Sequence, residues 1–317
     1  MKLTTKGRRL SARMVVLGLL AVIAVGSMAA APAQAQEPTF RKPQAPMSPH
    51  TPVSNDGVLP TPRKAAGATM TQAFAGTGHT SGGINRFALD FGVGKTASTV
   101  SPMSVIGSDG RTRITATTTF PYRAIVHITS SIGGCSGWMI SANTVATAGH
   151  CIYGSGGWAT NVVVYPGRNG TSTPYGSCTG TRLFAPSGWT SSRSRDYDYG
   201  AIKLNCSIGN TVGWFGMRVS TTSLNGQASY TAGYPGDKTY GTQWRSDDTV
   251  RLTQTRRLYY GNDTYGGQSG SIVWNSAGGC TNCGIAVHAY GVDSTGYNGG
   301  TRIIQEVYNN LTTWANS

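Results

Sequence analysis

A chain of 317 residues with 38% hydrophobic and 12% charged residues has the length of one or two packed domains and a globular composition. Its formal net charge is +14, but +8 of that falls before Ser104, and the later basic residues are scattered, with Arg256-Arg257 the densest pair. Nucleic-acid binders gather charge on one face or arm, so no nucleic-acid partner is expected. The positive balance reads as a solubilising surface, with at most a mild field favouring anionic polypeptides.

Lys2, Lys6, Arg8, Arg9 and Arg13 precede an apolar run from Met14 to Met28, and Ala33-Gln34-Ala35 follows as a small-x-small cleavage site. A membrane span needs about 20 apolar residues. This run is shorter and ends in a cleavable segment, so residues 1–35 read as a signal peptide rather than a retained anchor. The chain is therefore expected to be secreted and extracellular, with no membrane attachment after cleavage.

Residues 36–103 hold eight of the fourteen prolines and no cysteine. Such a stretch does not build a core by itself. The plain reading is a linker; ahead of a cysteine-bearing region in an exported chain, a removable propeptide is expected. Phe87 to Phe91 is its one candidate for a short packed element.

From Ser104 onward, short runs rich in Val, Ile, Thr, Tyr and Trp alternate with Gly, Ser and Asn. Residues 123–130, 137–140, 161–165, 200–204, 229–232 and 284–288 read as strands. Ile304, Val307, Leu311 and Trp314 recur at helical spacing, which predicts a helix over Thr301–Asn316. The fold class is mainly β, in antiparallel sandwiches or barrels, with a C-terminal helix.

Export sets how the cysteines are read. Cys135, Cys151, Cys178, Cys206, Cys280 and Cys283 are an even set, so disulfides are the default. Six cysteines allow 15 connectivities; pairing neighbours along the chain is the simplest. A zinc site at Cys280 and Cys283 lacks a second Cys or His pair to complete four ligands.

Three motifs carry chemistry: Thr147-Ala-Gly-His150-Cys151, Asp198-Tyr-Gly-Ala-Ile202 and Gly266-Gly-Gln-Ser269-Gly-Ser271. Hydrolysis of a peptide by serine needs a base for the hydroxyl proton, a carboxylate to fix that base's tautomer, and N–H donors where the oxyanion forms. The order His, Asp, Ser differs from that of subtilisins and α/β-hydrolases, and Ser271 stands where a lipase elbow has glycine. His127, inside an alternating strand, reads as a structural histidine. Asp196 competes with Asp198 by position but falls on the preceding loop.

These motifs resemble the chymotrypsin-fold serine proteases, and within them the bacterial glutamyl endopeptidase (V8-like) branch on its Bacillus side. The resemblance covers essentially all of 104–317, including Gly170 to Gly176 and Gly233 to Lys238. It implies two six-stranded antiparallel β-barrels, roughly 104–215 and 216–300, followed by the helix. It also implies a secreted endopeptidase that acts on polypeptides through an acyl-enzyme. Ser269 would be the nucleophile, His150 the general base and Asp198 the orienting carboxylate, with the N–H groups of Gly267 and Ser269 as the oxyanion hole. Cys135 and Cys151 resemble the pair whose disulfide braces the histidine loop. No cofactor or metal is called for, structural calcium is not indicated, and a monomer is expected.

The primary pocket gives competing signals. Asp263, six residues before Ser269, sits where trypsin-like enzymes keep a carboxylate for Arg or Lys. Thr264 and His288 resemble the ligands that the glutamyl branch offers to a P1 carboxylate, and that branch also carries Asp-Thr here. A buried carboxylate needs donors, which imidazole N–H and threonine O–H supply, so the expectation is Glu, less so Asp, at P1. Gln268 stands where digestive proteases have the Asp that pairs with the freed N-terminus. In the glutamyl branch the mature N-terminal amine lies near the substrate carboxylate instead, so Ser104 or Val105 would complete the pocket once 36–103 is removed. Two readings of another class remain: an inactive protease-fold binding protein, and a carbohydrate-binding β protein suggested only by Tyr and Trp content.

Overall fold

The computed structural model describes residues 47–59, 68–78 and 104–317. The signal segment and Phe87 to Phe91 lie outside the described residues. In chain order the strands are β1 (Pro52–Ser54), β2 (Met70–Thr71), β3 (Thr112–Ile114), β4 (Ile125–Ser130), β5 (Gly133–Ser141) and β6 (Thr144–Thr147). Then come β7 (Tyr153–Gly154), β8 (Gly157–Trp158), β9 (Val163–Pro166), β10 (Cys178–Pro186), β11 (Gly200–Leu204) and β12 (Gly216–Arg218). Last are β13 (Ala228–Gly233), β14 (Gln243–Thr253), β15 (Arg257–Tyr260), β16 (Ile272–Ala277), β17 (Cys280–Tyr290) and β18 (Asn298–Arg302).

Two closed rings organise them. The first runs β10-β11-β6-β5-β4-β9 and returns through the β9–β10 pairing, six strands all antiparallel. The second runs β16-β13-β14-β15-β18-β17 and closes through β16–β17, again six antiparallel strands. Closure removes the exposed edges that would otherwise template aggregation. The barrels are filled by residues such as Ile125, Trp138, Val145 and Ile202, each 0% exposed. All five residues of β11 are buried, because one face fills the barrel while the other is covered by neighbouring elements.

The C-terminal helix α1 spans Gln305–Ala315. It starts four residues later than its periodicity predicts, because Thr301 and Arg302 are held in β18, paired with Val287 and Ala286. Val307, Leu311 and Trp314 are fully buried, and Trp314 stacks on Phe184 of the first barrel with ring centroids 5.6 Å apart. Its final carbonyls are met by a buried cation: Lys203 Nζ lies 3.3 Å from Trp314 O and 3.4 Å from Ala315 O. A cation there offsets the negative end of the helix.

Two departures from the expected boundaries concern the N-terminal side. Residues 112–114 fall within the span assigned to the first barrel, yet β3 pairs with β14 of the second. The described part of 36–103 is also not a bare linker. β1 adds an edge strand to β10, with Pro52 opposite Pro186, and β2 adds one to β12, with Met217 opposite Thr71. Proline is tolerated at such an edge because the missing N–H faces away from the ladder. His50 sits between Tyr197 and Tyr199, its Nδ1 2.9 Å from the Tyr199 hydroxyl, and Asn310 Nδ2 donates to His50 O at 2.7 Å. Its described residues form no core of their own and pack on that of the body.

Candidate active site

The β6–β11 pairing brings two of the three motifs together. Thr147 at the end of β6 lies opposite Gly200 at the start of β11, so the residues just beyond each strand, His150 and Asp198, meet. Gly149 is required in that approach: a Cβ there would stand 2.8 Å from the Trp189 ring and 3.1 Å from Asp198 Oδ1. Asp198 is fully buried. Its Oδ1 accepts the His150 backbone N–H at 2.9 Å, and its Oδ2 accepts His150 Nδ1–H at 2.8 Å and the Tyr290 hydroxyl at 2.5 Å. Three donors aimed at one carboxylate fix its position, and the bond from Nδ1–H holds the imidazole in the tautomer whose Nε2 is free to accept a proton. Thr301 Oγ1 donates to Asp198 O at 2.9 Å, which fixes the backbone as well.

The charge balance at His150 follows. Burial alone would lower its pKa, but the adjacent Asp198 carboxylate outweighs burial and the net shift is upward from 6.5. Tyr290 is shifted upward as well. Burial, then the Asp198 charge, raises its phenol pKa, so it stays protonated and keeps donating. Asp196 lies in a 3-10 turn, Arg195–Tyr197, and its Oδ1 accepts from Arg257 Nε at 2.9 Å, away from His150. His127 is 3% exposed within β4, and its Nδ1 lies 3.3 Å from the Arg168 guanidinium.

Ser269 sits on the loop entering β16, clamped to the first barrel. Ser136 N–H donates to Ser269 O at 2.8 Å, and Ser136 Oγ donates to Gly267 O at 2.9 Å while accepting from Tyr234 N–H at 2.8 Å. The disulfide Cys135–Cys151 joins the strand next to Ser136 to the residue after His150. One covalent staple therefore spans both halves of the site. Closing a loop of this size contributes about 3 kcal/mol in the chain-entropy picture. Cys178–Cys206 and Cys280–Cys283 are the other two disulfides.

Along the loop from Tyr265 to Ser271, hydrogen bonding is uneven. The N–H groups of Gln268, Gly270 and Ser271 donate to Tyr265 O, His288 O and Gln268 O at 2.7–2.9 Å. Among the described residues, those of Gly267 and Ser269 donate to nothing. Two free donors flanking a serine form the arrangement that stabilises an oxyanion. Gly267 has φ +97°, and a Cβ there would lie 2.6 Å from Tyr234 O, so only glycine holds that geometry without strain. The Ser269 hydroxyl makes no hydrogen bond among the described residues. Nucleophile–base contacts are often long before substrate binds and tighten afterwards.

The residues expected around the primary pocket gather beside this loop. Ser104 is 5% exposed, and its carbonyl accepts from Thr264 N–H at 3.0 Å and from Asn298 Nδ2 at 2.6 Å. Val105 follows, half-buried. Thr264 Oγ1 is buried with no partner among the described residues. His288 is tied to the Ser269 loop by its backbone, accepting from Gly270 N–H at 2.7 Å and donating to Ser271 O at 2.8 Å. Burial lowers its pKa to about 3, with the nearby His150 adding to the effect, so the ring is neutral at ordinary pH. Asp263 is 6% exposed, and its oxygens accept Ile106 N–H and Gly110 N–H, both at 2.7 Å. Four contributors were not legible in the motifs: Tyr290, Ser136, Asn298 and Thr301. Only Tyr290 left a signal, since residues 288 and 290 share a strand two apart.

Similarity to known proteins agrees with this geometry. Residues 110–315 match the family described as Trypsin. The chain is 50% identical over 290 residues to "Glutamyl endopeptidase" of Bacillus licheniformis, covering 86% of this chain and 90% of that one. It is 44% identical over 286 residues to a Bacillus subtilis protein named "Extracellular metalloprotease", covering 85% and 88%. A solved structure, "Structure of Glu endopeptidase in complex with MPD", superposes with TM-score 0.64 at 32% identity, over 67% of this chain and all of that one. The second name implies a metal, which the residues here do not fit. The one grouping of His, Cys and carboxylate ligands among the described residues is Cys135, His150 and Cys151, and its cysteines are bonded to each other, leaving no thiolate to ligate. With its paired six-stranded barrels and its likeness to these enzymes, the chain belongs to the trypsin family of serine endopeptidases, in the bacterial glutamyl endopeptidase branch.

Proposed function

We propose that Ser269 attacks the scissile carbonyl, that His150 takes its proton and returns it to the leaving amine, and that Asp198 orients and charge-stabilises the imidazole. The free N–H groups of Gly267 and Ser269 receive the oxyanion, and water repeats the cycle on the acyl-enzyme. The preferred P1 residue is Glu, less so Asp. The observation that carries this preference is the disposition of Asp263. Both of its oxygens are engaged by backbone N–H groups of the segment after Ser104, so it serves the fold of that segment rather than a cationic side chain. Beside it, the orphaned Thr264 hydroxyl and the neutral His288 ring offer donors to an anion. A pocket built on such hydrogen bonds rejects side chains that cannot use them by about 10⁴–10⁵. Mapping every cut in a denatured protein mixture by mass spectrometry tests it: cuts should follow Glu, and dominant cuts after Arg or Lys would overturn it.

The role given to Asp263 has its own consequence. Asp263→Ala removes the acceptor from two part-buried N–H groups, those of Ile106 and Gly110, at about 0.5–1.5 kcal/mol each. The expected result is a lowered denaturation midpoint and weakened Glu cleavage, with no Arg or Lys cleavage lost. A trypsin-like pocket would lose that cleavage first.

The enzyme is exported and matured by removal of 36–103. The likeness to the Bacillus licheniformis protein spans 86% of this chain, whereas the whole solved Glu endopeptidase is matched by 67% of it. Residues 104–317, 214 of 317, are that same share. The Ser104 carbonyl is already held beside Thr264 in the uncut chain, so cleavage need only create an amine there. Enzyme beginning at Ser104 or Val105 is expected to cleave Glu substrates faster than enzyme carrying a few extra N-terminal residues. Equal rates would remove the amine from the account.

A further inference from the structure

The feature that the triad and the pocket donors leave unexplained is a buried phenol behind His288. Tyr260 is fully buried and its hydroxyl lies 2.6 Å from His288 Nδ1. The contact follows from strand register. Tyr260 on β15 is opposite Asn298 of β18, and His288 on β17 is opposite Gly300 of the same strand. Residues 298 and 300 point to one face of β18, so Tyr260 and His288 share that face on either side of it. Gly300 places no side chain between them, and a Cβ there would stand 2.3 Å from Val287 O. The phenol therefore reaches diagonally across β18 to the imidazole.

We propose that Tyr260 is a specificity-positioning residue: its O–H donates to His288 Nδ1, fixing the tautomer in which Nε2–H is the donor offered to the P1 carboxylate. This rests on the Glu-directed reading of the pocket. The proton inventory supports the direction of the bond. Burial raises the Tyr260 pKa well above 10.0, so the phenol keeps its proton. His288 is neutral, so its ring carries one N–H for two nitrogens. If Nδ1 held that proton, Nε2 would present a lone pair to the substrate carboxylate, and the two acceptors would repel. With Tyr260 donating, the single N–H sits on Nε2. No charge is needed at His288. The discrimination comes from a neutral donor whose polarity is set one strand away.

The test compares Tyr260→Phe with the unsubstituted enzyme on peptides that differ only in Glu or Gln at P1. The variant is expected to lose roughly 10- to 100-fold in kcat/KM for Glu, the cost of a buried nitrogen left without its donor. The loss should fall mainly on KM, and the Glu-over-Gln ratio should collapse. Labelling of Ser269 by a small fluorophosphonate, which has no P1 carboxylate, is expected to keep its rate and so to report an intact triad. A retained Glu-over-Gln ratio in a labelled, folded variant would overturn the proposal. A direct measurement covers the case of a variant that does not fold. Long-range ¹⁵N spectra of the imidazoles in the otherwise unaltered Ser269→Ala chain should show His288 protonated at Nε2 only, and protonation at Nδ1 would overturn the proposal. An unsubstituted enzyme with no preference for Glu would instead defeat the pocket reading, which the tautomer spectrum does not depend on.

Discussion

Replacing Ser269 by alanine is expected to lower kcat by about 10⁶ while leaving the fold intact. Loss of the nucleophile in a serine protease triad removes nearly all the acceleration that the triad supplies, because its three members act as one unit. What survives is the contribution of the oxyanion donors and of substrate binding, about 10³–10⁴ over water. The donors at Gly267 and Ser269 are backbone groups, and the clamp from Ser136 to Ser269 O and Gly267 O is unaffected by the side chain at 269. The hydroxyl makes no hydrogen bond among the described residues, so its loss should change stability by less than about 0.5 kcal/mol. Steady-state hydrolysis, with thermal unfolding of the same preparation, checks both halves. A residual rate near that of the unsubstituted enzyme would mean that another nucleophile does the chemistry.

Asp198→Asn is expected to cost about 10⁴ in kcat, with little change in structure. The carboxylate accepts from three donors: the His150 backbone N–H, His150 Nδ1–H and the Tyr290 hydroxyl. An amide has one acceptor oxygen and one donor nitrogen. Whichever way it is turned, its NH₂ faces a former donor. The imidazole then relieves the clash by accepting at Nδ1, which moves its proton to Nε2 and blocks the attack of Ser269. The same change alters the pH profile. The carboxylate holds the His150 pKa above 6.5 against the downward pull of burial. The active form is neutral His150, so kcat/KM of the unsubstituted enzyme should fall as pH drops, with a midpoint above 6.5. In Asp198→Asn only the burial contribution remains, so the midpoint should move down. A pH–rate series on both forms reads the two effects together. An unmoved midpoint would show that the limb belongs to another group.

The parts of this molecule that were legible in the sequence are those in which local pattern and chemistry coincide. His150, Asp198 and Ser269 each sit in a short motif, and the family resemblance that those motifs carry implied the topology that brings them together. Strands such as β4 and β9 announced themselves through β-branched runs. The helix start was misplaced because Thr301 and Arg302 obey a non-local pairing with β17 that periodicity does not register. The same holds for β3, which crosses to the second barrel through β14. Asp263 was ambiguous for a physical reason. Its position suits either an arginine-binding carboxylate or a structural one, and only its partners, Ile106 and Gly110, about 150 residues away in sequence, separate the two. Tyr260, Ser136 and Asn298 act through contacts across strands or between barrels and have no motif to carry them. The edge pairing of the proline-rich segment's described residues with β10 and β12 depends on surfaces that belong to the body, so no local pattern in the segment announces it.

One measurement bears most directly on the whole account: kcat/KM for peptides identical except at P1, with Glu, Gln and Arg compared on enzyme beginning at Ser104. The arrangement of Thr264, His288 and an engaged Asp263 predicts that Glu exceeds both by about 10⁴ or more, and that the activity disappears in Ser269→Ala. A faster rate with Arg than with Glu would contradict the pocket, and a Glu-directed rate that survives Ser269→Ala would contradict the chemistry.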